Sequence, residues 1–365
     1  MKTYPIPMVP GPVSVPQSVR DVYQINYGSP DIEEEFLTLY KETAADLRLL
    51  FGTKNDVILH TGEGMIALWG ALKSVIQPGD RVLSISTGIF GSGICTMAES
   101  VGAETRLIEF PFNSTLDNLA VVEKAIIEFS PKIITAVHCE TPSGTLNPIS
   151  GLGALKAKHN VPLLYIDCVA SMGGVPVFAD DWHIDLALGG SQKCLSMPPS
   201  MSMIAVSDAA WQVIEEVGYV GYDSFFPFRK ALDAPGMFPY TPNWHGVAAL
   251  HASTRLITEE GLENCFLRHT KVAEYTRERI QSMGLSLFYA DQAIPSPTVT
   301  AVNVPEGWDW TLLDQAFRAR GLVVGGSYGP MAGKIFRIGH MGHQAQMELV
   351  EKAIDVIDQV LNSKR

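Results

Sequence analysis

Positive charge, paired cysteines, clustered histidines and long apolar runs are all scarce in this chain of 365 residues. Lys and Arg number 27 against 39 Asp and Glu, a net charge of −12 with no basic stripe to offset it. That excludes a general nucleic-acid binder, which needs clustered Lys and Arg to displace counterions. The five cysteines (Cys95, Cys139, Cys168, Cys194 and Cys265) are odd in number, form no CxxC and sit mostly in apolar contexts. They read as reduced thiols in a cytoplasmic protein, not as a disulfide framework. Nine histidines form no HxxxH or HExxH pattern, so no metal is expected. No apolar run approaches the roughly 18 residues of a membrane span, and no membrane partner is expected. The start, Met1-Lys2-Thr3-Tyr4-Pro5, has no apolar signal core, and Pro5, Pro7, Pro10 and Pro12 would break one.

What the chain does have is length and apolar content. Its 46% hydrophobic and 18% charged residues fit a globular enzyme with a large core and room for two domains. The first thirty residues, rich in Pro and Gly, read as an extended arm of the kind that lies across a partner subunit. Residues 33–50 have helical spacing. A strand–helix rhythm follows, with short apolar strands at 57–59, 81–85, 104–109, 132–137, 161–166, 186–188 and 203–206. Strands alternating with helices predict a mostly parallel sheet of seven strands covered on both faces, an α/β domain over 31–255. After about residue 255 the texture changes. A charged helix at 261–283, strands at 285–288, 298–302, 322–324 and 335–338, and helices at 309–319 and 344–361 predict a smaller α+β domain over 256–365.

The residues that could carry chemistry stand where such strands end, which is where open α/β sheets bind ligands. Lys193, in Ser191-Gln192-Lys193-Cys194-Leu195, follows the apolar strand at 184–188 and has little polar company. Desolvation lowers a lysine pKa toward the neutral amine that Schiff-base chemistry needs; a lysine with a plainly buried stem has the same local pattern. Asp167 ends the apolar strand Leu163-Leu164-Tyr165-Ile166. A carboxylate there could keep a pyridine nitrogen protonated, or cap a turn. Gly62-Glu63-Gly64 follows a strand and opens a helix, so it suits either an anion cradle or a tight turn. Phe90, after Thr87-Gly88-Ile89, could lie on a planar ring or pack in the core. Arg337, inside the apolar run Phe336–Gly339, wants a carboxylate, from a substrate or from an internal salt bridge.

Taken in order, Pro10-Gly11-Pro12, Gly88-Ile89-Phe90-Gly91, Glu140-Thr141-Pro142-Ser143-Gly144, Asp167, Ser191-Gln192-Lys193 and Arg337-Ile338-Gly339 resemble the class V aminotransferases of fold type I. The resemblance covers nearly the whole chain and is to the branch of alanine–glyoxylate, serine–glyoxylate and pyridoxamine–pyruvate aminotransferases. It implies a transaminase with pyridoxal 5′-phosphate on Lys193, Asp167 on the pyridine nitrogen and Phe90 stacked on the ring. It further implies Thr141 at the ring hydroxyl, and Gln192 with the Gly62–Gly64 turn at the phosphate. Arg337 would take the substrate α-carboxylate, and Thr241 would reach the phosphate of a neighbouring subunit in a homodimer or dimer of dimers. Small amino acids (alanine or serine) and small 2-oxo acids (glyoxylate or pyruvate) are the implied partners.

One departure stands out. Glu63 puts a carboxylate where a phosphate would lie, a repulsive pairing. Pyridoxamine–pyruvate aminotransferases resemble this chain in that Gly-Glu pair, which makes unphosphorylated pyridoxal or pyridoxamine, as a substrate, an alternative. Gln192 instead matches relatives that bind phosphate, Tyr328 stands where the pyridoxamine group carries an Arg, and Glu63 could equally turn toward its helix N-terminus. A lyase of the same fold, such as a cysteine desulfurase, would need a cysteine between 321 and 343, and none is there. A non-catalytic binding protein is the remaining alternative.

Overall fold

Apolar strands that end at one edge of a central sheet position everything described below. The computed structural model describes residues 3–362; Met1, Lys2 and residues 363–365, the outermost ends of the expected arm and small domain, lie outside the described residues. The strands in chain order are β1 (Ile6–Met8), β2 (Asp56–Thr61), β3 (Arg81–Ser86), β4 (Glu104–Glu109), β5 (Ile133–Val137), β6 (Cys139–Glu140) and β7 (Thr145–Leu146). They continue with β8 (Leu163–Asp167), β9 (Leu186–Gly190), β10 (Met201–Val206), β11 (Thr300–Asn303), β12 (Leu322–Gly326) and β13 (Ile335–Ile338).

The large sheet has seven strands in the order β2-β10-β9-β8-β5-β3-β4. All neighbours are parallel except β10, which runs antiparallel to both β2 and β9. Every residue of β5, β8 and β9 is buried, as expected of strands covered on both faces. The two-residue period sorts their side chains between two cores. Leu164 and Ile166 join one with Phe36, Tyr40 and Leu152, while Leu163 and Tyr165 join the other with Leu68, Leu72 and Trp211. The fold is therefore the α/β architecture read from the sequence, with β10 as its one reversed strand.

The second sheet has the order β1-β12-β13-β11 and packs against the helices Leu262–Ser282, Trp310–Ala319 and Met347–Asn362. Three features differ from the sequence expectations. The N-terminal stretch does not lie free of its own chain: β1 pairs in parallel with Leu322–Val324. Pro7 is tolerated because β1 is an edge strand. Residues 285–288 form no strand and contribute a single bridge, Leu287 to Val302. Finally, the helix Trp244–Glu260 runs through the boundary expected near 255.

Candidate active site

Parallel strands bring their carboxyl ends to one edge, and six of the singled-out residues meet there. Glu63, Phe90, Thr141, Asp167, Gln192 and Lys193 line one cavity, together with Met65, Leu68, Cys139, Val169 and Ala170. Glu63 follows β2, Phe90 follows β3 and Thr141 follows the hairpin strand β6, while Asp167 closes β8 and Gln192 and Lys193 both follow β9.

Lys193 leaves β9 in a tightly tied loop. Met197 N donates to Ser191 O at 3.0 Å, Ser196 N to Lys193 O at 2.9 Å, and Ser191 Oγ to Pro198 O at 2.6 Å. The lysine amine donates to the Pro10 carbonyl at 2.6 Å. Burial pushes its pKa below the ordinary lysine value, and the charge of Arg337 pushes the same way. The sequence reading of a poorly solvated amine thus has a physical counterpart.

Asp167 closes β8. Its Oδ1 accepts from Val169 N at 2.8 Å, and burial raises its pKa to about 6 against the opposing pull of that bond and of Lys193. Phe90 lies in the first turn of the helix Ile89–Ser100. Gly62 adopts φ +138°, a conformation that a side chain would resist, and lets the chain turn into the helix Gly64–Val75. A Cβ on Gly64 would lie 3.1 Å from Val169, so the helix start and the turn after β8 approach closely. Glu63 caps this helix: its Oε2 accepts from Met65 N at 2.8 Å. Its Oε1 accepts from Gln192 Nε2. Gln192 Oε1 is buried without a partner among the described residues.

Arg337, on β13, is 3% exposed. Its Nε donates to Gly326 O at 2.7 Å and its Nη1 to Thr141 O at 3.4 Å, while the Tyr328 ring lies 4.8 Å from its guanidinium carbon. Among the described residues no carboxylate pairs with it, so the internal salt bridge left open by the sequence is absent. Thr241 is not brought to this cavity: it is exposed, and its hydroxyl donates to Asp31 Oδ2 at 3.1 Å.

Sequence reasoning quoted Glu140 in a motif but gave it no role. The structure buries it fully and aims it at the start of the helix Ile89–Ser100, where Oε1 accepts from Gly91 N at 2.8 Å and Oε2 from Phe90 N at 3.4 Å. Gly88 leaves the space for it, since a Cβ there would sit 2.5 Å from the carboxyl carbon. A charged residue three positions past the buried strand β5 was the available signal. Burial pushes the Glu140 pKa up to about 7. The folded state therefore binds this proton more tightly than the unfolded state does. The associated stability is fully present below the ordinary carboxylate pKa near 4.5 and is lost as pH rises through about 7. The loss amounts to about 3 kcal/mol. Glu140→Gln cannot titrate, so its melting temperature should change less than the wild type's between pH 5 and pH 8. Equal changes in calorimetry would rule this out.

Comparison with known proteins bears on this site. The Aminotransferase class-V family profile matches residues 11–346. The chain belongs to the class V aminotransferases. An uncharacterized aminotransferase of Methanocaldococcus jannaschii is 35% identical, over 94% of this chain and 89% of its own length. The pyridoxamine–pyruvate transaminase of Mesorhizobium japonicum is 32% identical, over 91% of this chain and 86% of its own. The crystal structure of alanine–glyoxylate aminotransferase from Nostoc sp. superposes with a TM-score of 0.93 at 32% identity, covering 99% of this chain and 96% of that one. The chain is thus a transaminase of fold type I, and its family implies dependence on pyridoxal phosphate. Among the described residues no helix is long and apolar enough to cross a membrane.

The residues fit the ring and the aldehyde of that cofactor. A half-buried amine stands just past the end of β9 and a buried carboxyl at the end of β8, with an aromatic side chain lining the same cavity. The phosphate end fits less simply. The Gln192 amide and the Met65 N–H, both natural phosphate donors, are engaged by the Glu63 carboxylate.

Proposed function

We propose that this class V aminotransferase moves an amino group from a small amino acid, alanine or serine, to glyoxylate or pyruvate. The observation that carries this reading is Arg337: a buried guanidinium with no acid partner among the described residues, hydrogen-bonded to Thr141, which lines the cavity of Lys193. A substrate carboxylate supplies the missing counter-charge in a planar, bidentate pair. Pyridoxal phosphate, when bound, supplies the electron sink that stabilises negative charge at the donor Cα. The protein groups do the rest. Lys193 would form the covalent link and move the proton from the donor Cα, Asp167 would hold the ring nitrogen protonated, and Phe90 would stack on the ring. Thr141 would approach the ring hydroxyl, and Gln192 with the Gly62–Gly64 turn would hold the phosphate once the Glu63 carboxylate gives up the Gln192 amide.

Arg337→Leu should lower kcat/KM for the amino donor by about 10²-fold, mostly through KM, because a charge-assisted bidentate pair is lost. An unchanged KM would remove Arg337 from the carboxylate site.

The Glu63–Gln192 contact favours a second reading of the same chemistry, in which unphosphorylated pyridoxamine is the amino donor and pyruvate the acceptor. The similarity to the Mesorhizobium transaminase supports it. A screen of alanine, serine, aspartate and pyridoxamine, each with glyoxylate and pyruvate, separates the two. Purified protein that keeps a bound chromophore and uses alanine or serine supports the first reading. Colourless protein that turns over pyridoxamine supports the second. No turnover with any pair contradicts both.

The working unit in this reading is a homodimer or dimer of dimers in the cytoplasm. Thr241 reaches the phosphate of the neighbouring subunit, and the N-terminal segment beyond β1 contributes to the interface. Ile32, Val220 and Tyr222, 70%, 90% and 79% exposed, are large apolar side chains that a second copy would cover.

A further inference from the structure

We propose that the N-terminal strap, residues 9–14, positions the reactive lysine, with the Pro10 carbonyl as the group that holds the Lys193 amine whenever the amine is not covalently engaged. This rests on the reading of Lys193 given above and adds a part of the machinery that the strand ends do not supply.

The contact is short and direct, 2.6 Å from Nζ to Pro10 O. Its chemistry suits a reactive amine. A carboxylate beside Nζ would stabilise the ammonium form and keep the lysine protonated. A backbone carbonyl carries no net charge, so it directs one N–H while favouring the ammonium form much less than a carboxylate would. Among the described residues no carboxylate pairs with Lys193 within salt-bridge distance. Gly11 makes the approach possible. It adopts φ +92°, and a Cβ there would lie 2.6 Å from Cδ, 2.7 Å from Nζ and 2.9 Å from Cε of Lys193.

The strap is itself fixed at several points. Val13 N donates to Gln192 O at 3.1 Å, beside the lysine. The fully buried Gln344 donates to Val9 O at 2.9 Å and to Gly339 O at 2.6 Å, and its Oε1 accepts from Ser14 N at 2.8 Å. Gly339 N donates to Met8 O at 2.7 Å. Pro10 packs on Gly325 and Gly339, where a Cβ would lie 2.7 Å and 2.5 Å from it. Gly325 pairs with Arg337 across β12 and β13, and Gly339 follows Arg337 by two residues. The element that holds the amine is thereby clamped to the strands that carry the carboxylate-binding arginine. Gln344 is a positioning residue acting through the strap.

The test uses the full-length protein, as wild type, Gly11→Ala and Gln344→Ala, mixed with pyridoxal phosphate and with pyridoxal. The amine and the aldehyde condense, one C=N bond forms and one water leaves. The rate is followed by absorbance and the product trapped with borohydride. Both variants should form the adduct about tenfold to a hundredfold more slowly, as expected when a reacting group is displaced by a fraction of an ångström to one ångström. In turnover they should lower kcat while the donor KM stays within about twofold, because Arg337 keeps its own contacts. Gln344→Ala touches neither Lys193 nor the cavity, so it carries the test if Gly11→Ala does not fold. Variants that melt earlier yet form the adduct at the wild-type rate would overturn the proposal and leave the strap as a structural clamp. A wild type that forms no adduct with either aldehyde overturns the reading of Lys193 itself, and the strap's role with it.

Discussion

Replacing Lys193 with alanine is expected to lower kcat by about 10⁴-fold or more, with the melting temperature essentially unchanged. Two functions are lost at one atom: the covalent link and the base that moves the donor proton. No neighbour can take over. Cys139 lines the same cavity, but burial pushes its thiol up to about 11, so it is protonated at neutral pH. Asp167 is tied to Val169 N at the end of its strand. The fold should tolerate the change because Lys193 is half-buried at the cavity and is not one of the side chains that build the cores. Added methylamine should restore part of the rate in Lys193→Ala, since a small free amine can enter the space left by the side chain. Turnover within tenfold of wild type without any added amine would contradict the assignment.

The second large effect is expected at Asp167. Asp167→Asn should lower kcat by about 10²- to 10³-fold, the range for removing one preorganised electrostatic group from a dry site. An amide cannot supply the charge that keeps a ring nitrogen protonated. The wild-type pH dependence follows from the same group. Burial raises the Asp167 carboxyl to about 6, so below that pH it takes up a proton and ceases to be a counter-ion. Cofactor affinity should then fall by up to about tenfold per pH unit below pH 6. The Asn variant should lack this limb and bind weakly at every pH. A titration that superposes the two proteins would dissociate Asp167 from the ring.

Much of this was legible in the chain because parallel strands buried on both faces read as unbroken apolar runs. Leu163–Asp167 and Leu186–Gly190 are such runs; the first ends on Asp167 and the second leads into Lys193 three residues on. Side-chain pairings across the sheet are a different matter. Nothing in the spacing of Glu63 and Gln192, 129 positions apart, says that they touch. Glu140 was hidden because its partners are backbone N–H groups of a helix nearly fifty residues earlier. Strand β1 was obscured by Pro5, Pro7 and Pro10, which normally argue against a strand. The segment 285–288 misled in the other direction: its apolar residues fit a strand, but its pairing with β11 stops at one bridge, Leu287 to Val302, flanked by the Phe288–Ala301 and Asn303–Ser286 backbone bonds.

The central claim is that the Lys193 amine bonds covalently to a vitamin B6 aldehyde, and reductive trapping tests it most directly. Protein incubated with pyridoxal phosphate or pyridoxal, reduced with borohydride and digested, should yield one modified peptide containing Ser191-Gln192-Lys193, with the adduct on Lys193. A modification mapped to another lysine, or none at all in folded protein, would contradict the account.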